Sequence, residues 1–560
     1  MRVHLMRGRR WAVPLLTAAL AATGLLAPSG AASAAATQRS DDFSLIGISW
    51  PASSGGLGGT AQVRTRDAAS GDWSAWRALE VTPQQVEEGP RARERRTTEP
   101  LWAGPSDAAE ARVVHADGSV SALPSKARME LVSPGEPAPS TASPYAEAGP
   151  QTLAAAPQPS VVSRAGWGAD ESLRADPPEY GESVKAVFVH HTVNANSYSC
   201  SEAPAIIRSI YRYHVLTNGW NDIGYNFLVD KCGKVYEGRY GGISKPVIGA
   251  HTLGFNTNTA GVAAIGDYSN YSVQSNVVAS VSRVAGWKLG LTGVKANTKV
   301  SLVAGVDNGT YKKGETASVY RVSGHRNVYA TACPGASLYA KLGTIRTYAS
   351  DWTNPYFSKG VWYWARTGTV TSTSVPVQLY WTAADDTGVR ATYATSPSAA
   401  TFGPSSTSWN AGVKPGATTT WTMKTVDWVG HTTWDSTAHA ASIVPETSAK
   451  RWLPWTTRYS SNHLGGKALA ASTAGASLKF TFTGSSVAWI ATKSYDSGQA
   501  YVYLDGVKKA TIDLRSSSVQ YRQAVWAAHW SGSGTHTLAV KVVGTSGRPK
   551  VVTDGITVVN

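Results

Sequence analysis

Residues 322–335 read V-S-G-H-R-N-V-Y-A-T-A-C-P-G and place an imidazole, His325, and a thiol, Cys333, eight positions apart. The Asn, Pro and Gly of this stretch favour a loop over a regular element. Imidazole and thiolate are favoured ligands of Zn²⁺, but two ligands do not complete a site. Further candidates stand upstream in residues 187–193, V-F-V-H-H-T-V, where a strand-like apolar run delivers His190 and His191. Side chains alternate along a strand, so one of these two histidines can face a given site while the other faces away. Two His and one Cys leave the fourth tetrahedral position to water, which is the pattern of a catalytic zinc. Taken singly, a His-rich strand end or a buried Cys serves packing more often than chemistry.

Around these residues the chain alternates helix and strand signals. Ser201 is placed to cap a helix whose Ala203, Ile206, Ile207, Ile210 and His214 share one face. A strand over residues 225–229 turns at 230–233 and returns over 234–237 as a hairpin. Val273, Val277, Val281 and Val284 mark a second helix, and Leu338, Leu342 and Ile345 a third, entered just after Pro334. Strands separated by helices predict an α/β domain with a mixed sheet and flanking helices.

A chain of 560 residues divides into about three or four domains. Arg2, Arg7, Arg9 and Arg10 precede an apolar run over residues 11–26, and small residues follow. A secretory leader over residues 1–36 is therefore expected, with Arg9-Arg10 also compatible with a twin-arginine address. No later apolar run would span a bilayer, so the mature chain is expected to be secreted, without a transmembrane anchor. The formal charge of +15 becomes +11 once the four leader arginines are gone. With no nucleic-acid motif present, that charge points to anionic cell-wall polymers as partners. Three cysteines leave one over in an oxidising compartment: Cys200 can pair with Cys232, or Cys333 can enter a disulfide and forfeit the metal.

Residues 42–134 alternate short strands with turn clusters and predict a small β-sandwich-like domain. Its Trp73, Trp76 and Trp102 could stack on sugars, but are read first as buried sandwich aromatics. Residues 87–99, with four Arg and four Glu, read as a solvated loop. Residues 135–160, rich in Pro, Ala and Ser, read as a linker. Residues 353–446 resemble a bacterial immunoglobulin-like module. Residues 447–560 resemble a jelly-roll carbohydrate-binding module and hold thirteen basic residues against four acidic ones. The fold class expected is multidomain: a central α/β domain flanked by all-β sandwich modules.

Residues 161–352 resemble the peptidoglycan recognition protein fold, related to zinc-dependent N-acetylmuramoyl-L-alanine amidases. The resemblance is carried by S-R-A-G-W-G-A (163–169), V-F-V-H-H-T-V, N-G-W-N-D-I-G-Y-N-F-L-V (218–229), V-Y-E-G-R (235–239), G-A-H-T-L-G-F-N (249–256) and G-H-R…A-C-P-G. It implies His190, His325 and Cys333 as zinc ligands with His191 facing away, and Cys200–Cys232 as the disulfide. It implies Tyr225 beside the metal, holding the attacking water or the oxyanion, and Thr331 as a second catalytic candidate. Phage-type relatives carry lysine at the Thr331 position, and amidase-active recognition proteins often carry threonine. His251, Asn256 and Arg239 match groove positions that contact the muramyl peptide. The implied activity is hydrolysis of the amide between N-acetylmuramic acid and the stem L-alanine, by a monomer whose partner is peptidoglycan. The alternative is a non-catalytic recognition protein, but relatives that only bind typically lack the cysteine retained here. The absence of an H-x-x-x-D…H-x-H pattern argues against a zinc endopeptidase. Where relatives often read E-G-R-G-W, residues 237–242 read E-G-R-Y-G-G, a departure in the region that helps choose the third stem residue.

Overall fold

The computed structural model describes residues 35–147, 156–174 and 176–560. The leader expected over residues 1–36 lies almost wholly outside the described residues, as do residues 148–155 of the expected linker.

At the centre is a mixed sheet ordered Val322–Gly324, Ala186–His191, Thr259–Ala264, Phe227–Val229, Val235–Glu237, Val161–Val162. Its neighbours run parallel apart from the antiparallel hairpin of Phe227–Val229 and Val235–Glu237. Ala186–His191 and Thr259–Ala264 are buried along their whole lengths, as parallel strands covered on both faces must be. Val187, Val189, Phe227 and Val262 face Val277, Val281 and Val284 of the Ser275–Gly290 helix, with Ile345 of the Leu342–Ala349 helix alongside. On the opposite face Leu228, Tyr236 and Ala263 lie under Ile206, Ile207 and Ile210 of the Ala203–Arg212 helix. Their i, i+1, i+4 spacing gives that helix its apolar stripe. Farther along the same face, Ala186 and Phe188 lie under Leu302 and Val319 of the hairpin formed by Lys299–Val303 and Thr316–Tyr320.

Three local readings need correction. Ser201 does not cap the Ala203–Arg212 helix; the N-cap is Glu202 without a side-chain capping bond, and the Ser201 hydroxyl pairs with that of Ser199. Pro204 in the first turn brings no N–H to cap. Val273 precedes the second helix, whose N-cap is Gln274, and the third is split into Ala336–Ala340 and Leu342–Ala349. A Cys200–Cys232 disulfide joins the start of the first helix to the hairpin turn, with Cα atoms 6.3 Å apart.

The N-terminal strands form one hydrogen-bonded sheet in which Ala36–Pro51 and Leu101–Val114 are central, around a core of Phe43, Ile46, Ile48, Val63 and Val113. Trp102 is buried, and it packs with the cluster of the Ala203–Arg212 helix. Trp73 and Trp76 are not buried as expected: they lie on the surface against the guanidinium groups of Arg64 and Arg112, 4.1–5.0 Å from the ring centres, a cation–π arrangement that keeps the charge in water. Residues 87–99 are not a solvated loop either. Glu88, Ala92, Thr97 and Thr98 are buried, because the segment is pressed onto the central domain. In the C-terminal half, Thr432–Pro445 pairs with Val551–Val559, so the strands on either side of residue 446 continue into one sheet.

Candidate metal centre and its groove

Two parallel neighbours end side by side. Gly324 pairs with Val189, so His325, just beyond the Val322–Gly324 strand, emerges beside His190. The loop that follows folds back: the Arg326 N–H donates to the Cys333 carbonyl at 3.1 Å and the Cys333 N–H to the Thr331 hydroxyl at 3.1 Å. Cys333 Sγ thereby comes to 3.6 Å from His190 Nδ1. The ligating atoms of His190, His325 and Cys333 lie within 4.8 Å of one another. Cys333 is unbridged. Strand alternation separates the two histidines: His190 shares its side with Phe188, and His191 shares the helix-covered side with Val189. His191 Nδ1 accepts the Tyr268 N–H at 3.2 Å.

The donor set fits a zinc ion. Bonds of about 2.0 Å to nitrogen and 2.3 Å to sulfur span a tetrahedral edge of about 3.5 Å, close to the observed His190–Cys333 separation. Among the described residues, His325 Nε2 is buried without a hydrogen-bond partner. Burial pushes His190 well below the usual imidazole range and His325 down to about 3, keeping both in the neutral, ligating form. Burial also pushes the Cys333 thiol up, so a thiolate there needs a cation beside it.

The other expected residues surround this triad. The Tyr225 ring lies 5.4 Å from that of His190. Burial first, then the charges of Glu99 and Cys333, push its phenol well above the usual range, so it is a neutral O–H donor. The His251 ring is 5.2 Å from that of His190, and its Nδ1 is 3.3 Å from His190 Nε2. It can lie there because Gly261 has no side chain: a Cβ at that position would come within 2.5 Å of the imidazole. The Asn256 Oδ1 accepts the His251 and Thr252 N–H groups at 2.9 and 2.8 Å, which leaves its amide N–H₂ to face the groove. Arg239 is buried and reaches the groove farther from the metal site, beside Asn221 and Tyr240.

Several groove residues escaped the sequence reading. Behind the groove wall, His214, neutral and pushed down to about 3 by burial, accepts the Gly224 N–H at 3.1 Å and lies 4.4 Å from the Trp220 ring, tilted 41° to it. Its place on a helical face marked it as core, and no signal separated it from core. Glu80, Gln85, Glu87, Glu88 and Glu99, all from the N-terminal domain, also line the groove. Burial pushes the Glu99 carboxyl up to about 7, with the Glu80 charge adding to it.

The N-acetylmuramoyl-L-alanine amidase family profile matches residues 180–336, the span that holds every candidate ligand. Peptidoglycan-recognition protein 1 of Holotrichia diomphalia is 31% identical over 187 residues, which cover 33% of this chain and 79% of that protein. The chain belongs to the peptidoglycan recognition protein and amidase family. Its central domain is also 28% identical over 182 residues to peptidoglycan-recognition protein SC1a of Drosophila melanogaster, covering 32% of this chain and 83% of that one. The human N-acetylmuramoyl-L-alanine amidase is 33% identical over 189 residues, 33% of this chain and 28% of that protein. A second family profile, Rv3811 N-terminal galactose-binding domain-like, matches residues 10–152. Among the described residues no helix is long and apolar enough to cross a membrane.

Proposed function

We propose that this family member is a zinc-dependent amidase that hydrolyses the bond between N-acetylmuramic acid and the stem L-alanine of peptidoglycan. The observation that carries the reading is the convergence of His190, His325 and Cys333 beneath Tyr225. An uncharged amide is a poor electrophile with a poor leaving group. Zn²⁺ held by the triad would supply Lewis-acid polarisation and lower the pKa of water from about 16 to about 7.

The chain's own residues do the rest. The neutral imidazoles and the thiolate hold the ion, and the buried cradle excludes bulk water, which strengthens each electrostatic contact. The Tyr225 hydroxyl donates to the oxygen of the scissile carbonyl as negative charge develops there. Asn256 Nδ2 and the Arg239 guanidinium offer donors along the groove to the carbonyl and carboxylate oxygens of the stem peptide. His251 orients the His190 ring from behind, as partners of ligating imidazoles do. Thr331 holds the Cys333 N–H and keeps the ligand loop closed.

Residues 161–352 are then the catalytic unit. The units at 42–134, 353–446 and 447–560 flank it, and the basic last unit holds the secreted monomer on anionic wall polymers. The test uses the full mature chain on purified muropeptides, with zinc removed by a chelator and then restored. Free stem peptide beginning at L-alanine, read by mass spectrometry, lost on chelation and regained with zinc, is the expected result. Muropeptide that binds but stays intact under all three conditions would make this a recognition protein without turnover.

A further inference from the structure

Residues 80–99 leave the N-terminal sheet, cross the groove and return. Their arms pair through Val81 and Thr98, with the Thr82 N–H donating to the Thr97 carbonyl at 2.9 Å. Between the arms, short 3₁₀ turns at Val86–Glu88 and Arg91–Arg93 put side chains onto the groove's donors. Glu87 Oε2 accepts from Asn256 Nδ2 at 2.7 Å and from the Gly254 N–H at 3.1 Å. Gln85 Oε1 accepts from the same Asn256 amide at 3.1 Å. Glu88 Oε2 accepts from Arg239 Nη2 at 2.6 Å and from the Asn221 N–H at 2.9 Å. Glu80 accepts from the Thr331 hydroxyl at 3.2 Å. Ala92 seats against Trp220 and Ala250, and the backbone passes so close to Gly219 that a Cβ there would meet Arg91 at 2.9 Å.

The consequence is steric. His190, His325, Cys333, Tyr225 and Asn256 are each at most 8% exposed. The cavity left over the triad is about 30 Å³, room for one or two water molecules and none for a sugar–peptide. The segment also satisfies, with carboxylate and amide oxygens, the donors that a stem peptide would need.

We propose that residues 80–99 are an autoinhibitory strap: an internal competitor whose Gln85, Glu87 and Glu88 occupy the groove in place of the substrate's own oxygens, so that peptidoglycan binds after the strap has lifted. This rests on the reading of the groove as a muramyl-peptide site. A ligand that binds the open form alone has its apparent affinity reduced by the fraction of open protein. Weakening the strap therefore raises affinity, and with it cleavage at sub-saturating substrate.

The test uses the full chain with a soluble muramyl-tripeptide as probe. In Glu87→Gln/Glu88→Gln, which keeps shape and removes both charges, the probe is expected to bind at least about tenfold tighter, with cleavage of sub-saturating probe rising in step and kcat unchanged. In the wild type, adding the probe is expected to speed amide hydrogen exchange across residues 80–99, a readout that needs neither the variant nor turnover. Tighter binding and faster exchange without cleavage would uphold the strap while removing the amidase. Unchanged affinity in a folded variant, or probe binding that leaves exchange across residues 80–99 as slow as before, would overturn the strap whatever becomes of the amidase.

Discussion

Replacing Tyr225 by Phe removes one oxygen from the site and leaves the ring between His190 and His214, whose centres lie 5.4 and 5.8 Å away. If the hydroxyl meets the developing oxyanion, its loss raises the barrier by about 2.7–4 kcal/mol, a fall of about 10²–10³-fold in kcat. The ligand triad is untouched, so zinc is expected to stay near one equivalent. KM should change little, since an interaction made in the transition state alone lowers kcat and kcat/KM equally. The phenol also makes a statement about pH. Burial raises its pKa, so the donor stays protonated below pH 10 and is lost as pH rises through the raised value. No basic limb below pH 10 should then come from Tyr225, and the wild-type and variant profiles should share their limbs. The assay is steady-state hydrolysis of a defined muropeptide at several pH values, with zinc measured on the same samples. An unchanged kcat would refute the role, and so would a loss that follows zinc content or KM alone.

The remaining predictions concern the ion, the disulfide and a buried lysine. Cys333→Ala is expected to abolish turnover and to lower bound zinc well below one equivalent by elemental analysis; full activity would discard the ligand set. Cys200→Ser/Cys232→Ser opens a loop of 32 residues, worth about 3.7 kcal/mol in the chain-entropy model; a urea midpoint that does not move would show the loop already ordered in the unfolded chain. Lys288 Nζ is buried on the Ile243 and Lys245 carbonyls at 2.8 and 2.9 Å, and burial lowers its pKa from 10.5 to about 7. Between pH 7 and 10.5 the unfolded chain binds the extra proton, so stability should rise with pH across that window by at most about 1.4 kcal/mol per unit. Urea titrations of Lys288→Met should lack that slope, and an identical slope in both proteins would assign it elsewhere.

The candidate site was legible in the sequence where local rules sufficed. Period-two alternation put His190 and His191 on opposite faces of one strand, and the Ile206, Ile207 and Ile210 spacing gave a helix with one apolar face, the face that meets the sheet. The Asn, Pro and Gly of residues 322–335 marked a loop, while the ligand set itself came from the family resemblance. Sequence failed where a contact belongs to two distant segments. The Arg239–Glu88 pair is 151 residues apart, and a run of four Arg and four Glu over residues 87–99 reads as solvated because charges are seldom buried without partners. Here the partners exist, on another domain. Trp73 and Trp76 misled for the opposite reason: aromatic rings were assigned to a core, but flanking Arg64 and Arg112 supply a cation–π surface instead.

The composition of the strap's contact argues against a merely architectural role. A permanent interface between domains is expected to be apolar at its centre, with charged residues depleted there. At this groove the apolar contribution is the small cluster of Ala92, Trp220 and Ala250, and the rest is carboxylate and amide oxygen set against groove donors. The architectural docking lies elsewhere, where Leu45 and Trp102 join the cluster of the Ala203–Arg212 helix. Burying Glu88 against Arg239 gains little over leaving both in water, because desolvation offsets most of the attraction. A strap held by such pairs can yield to a ligand that brings its own oxygens to the same donors, while the apolar contact keeps the N-terminal domain attached.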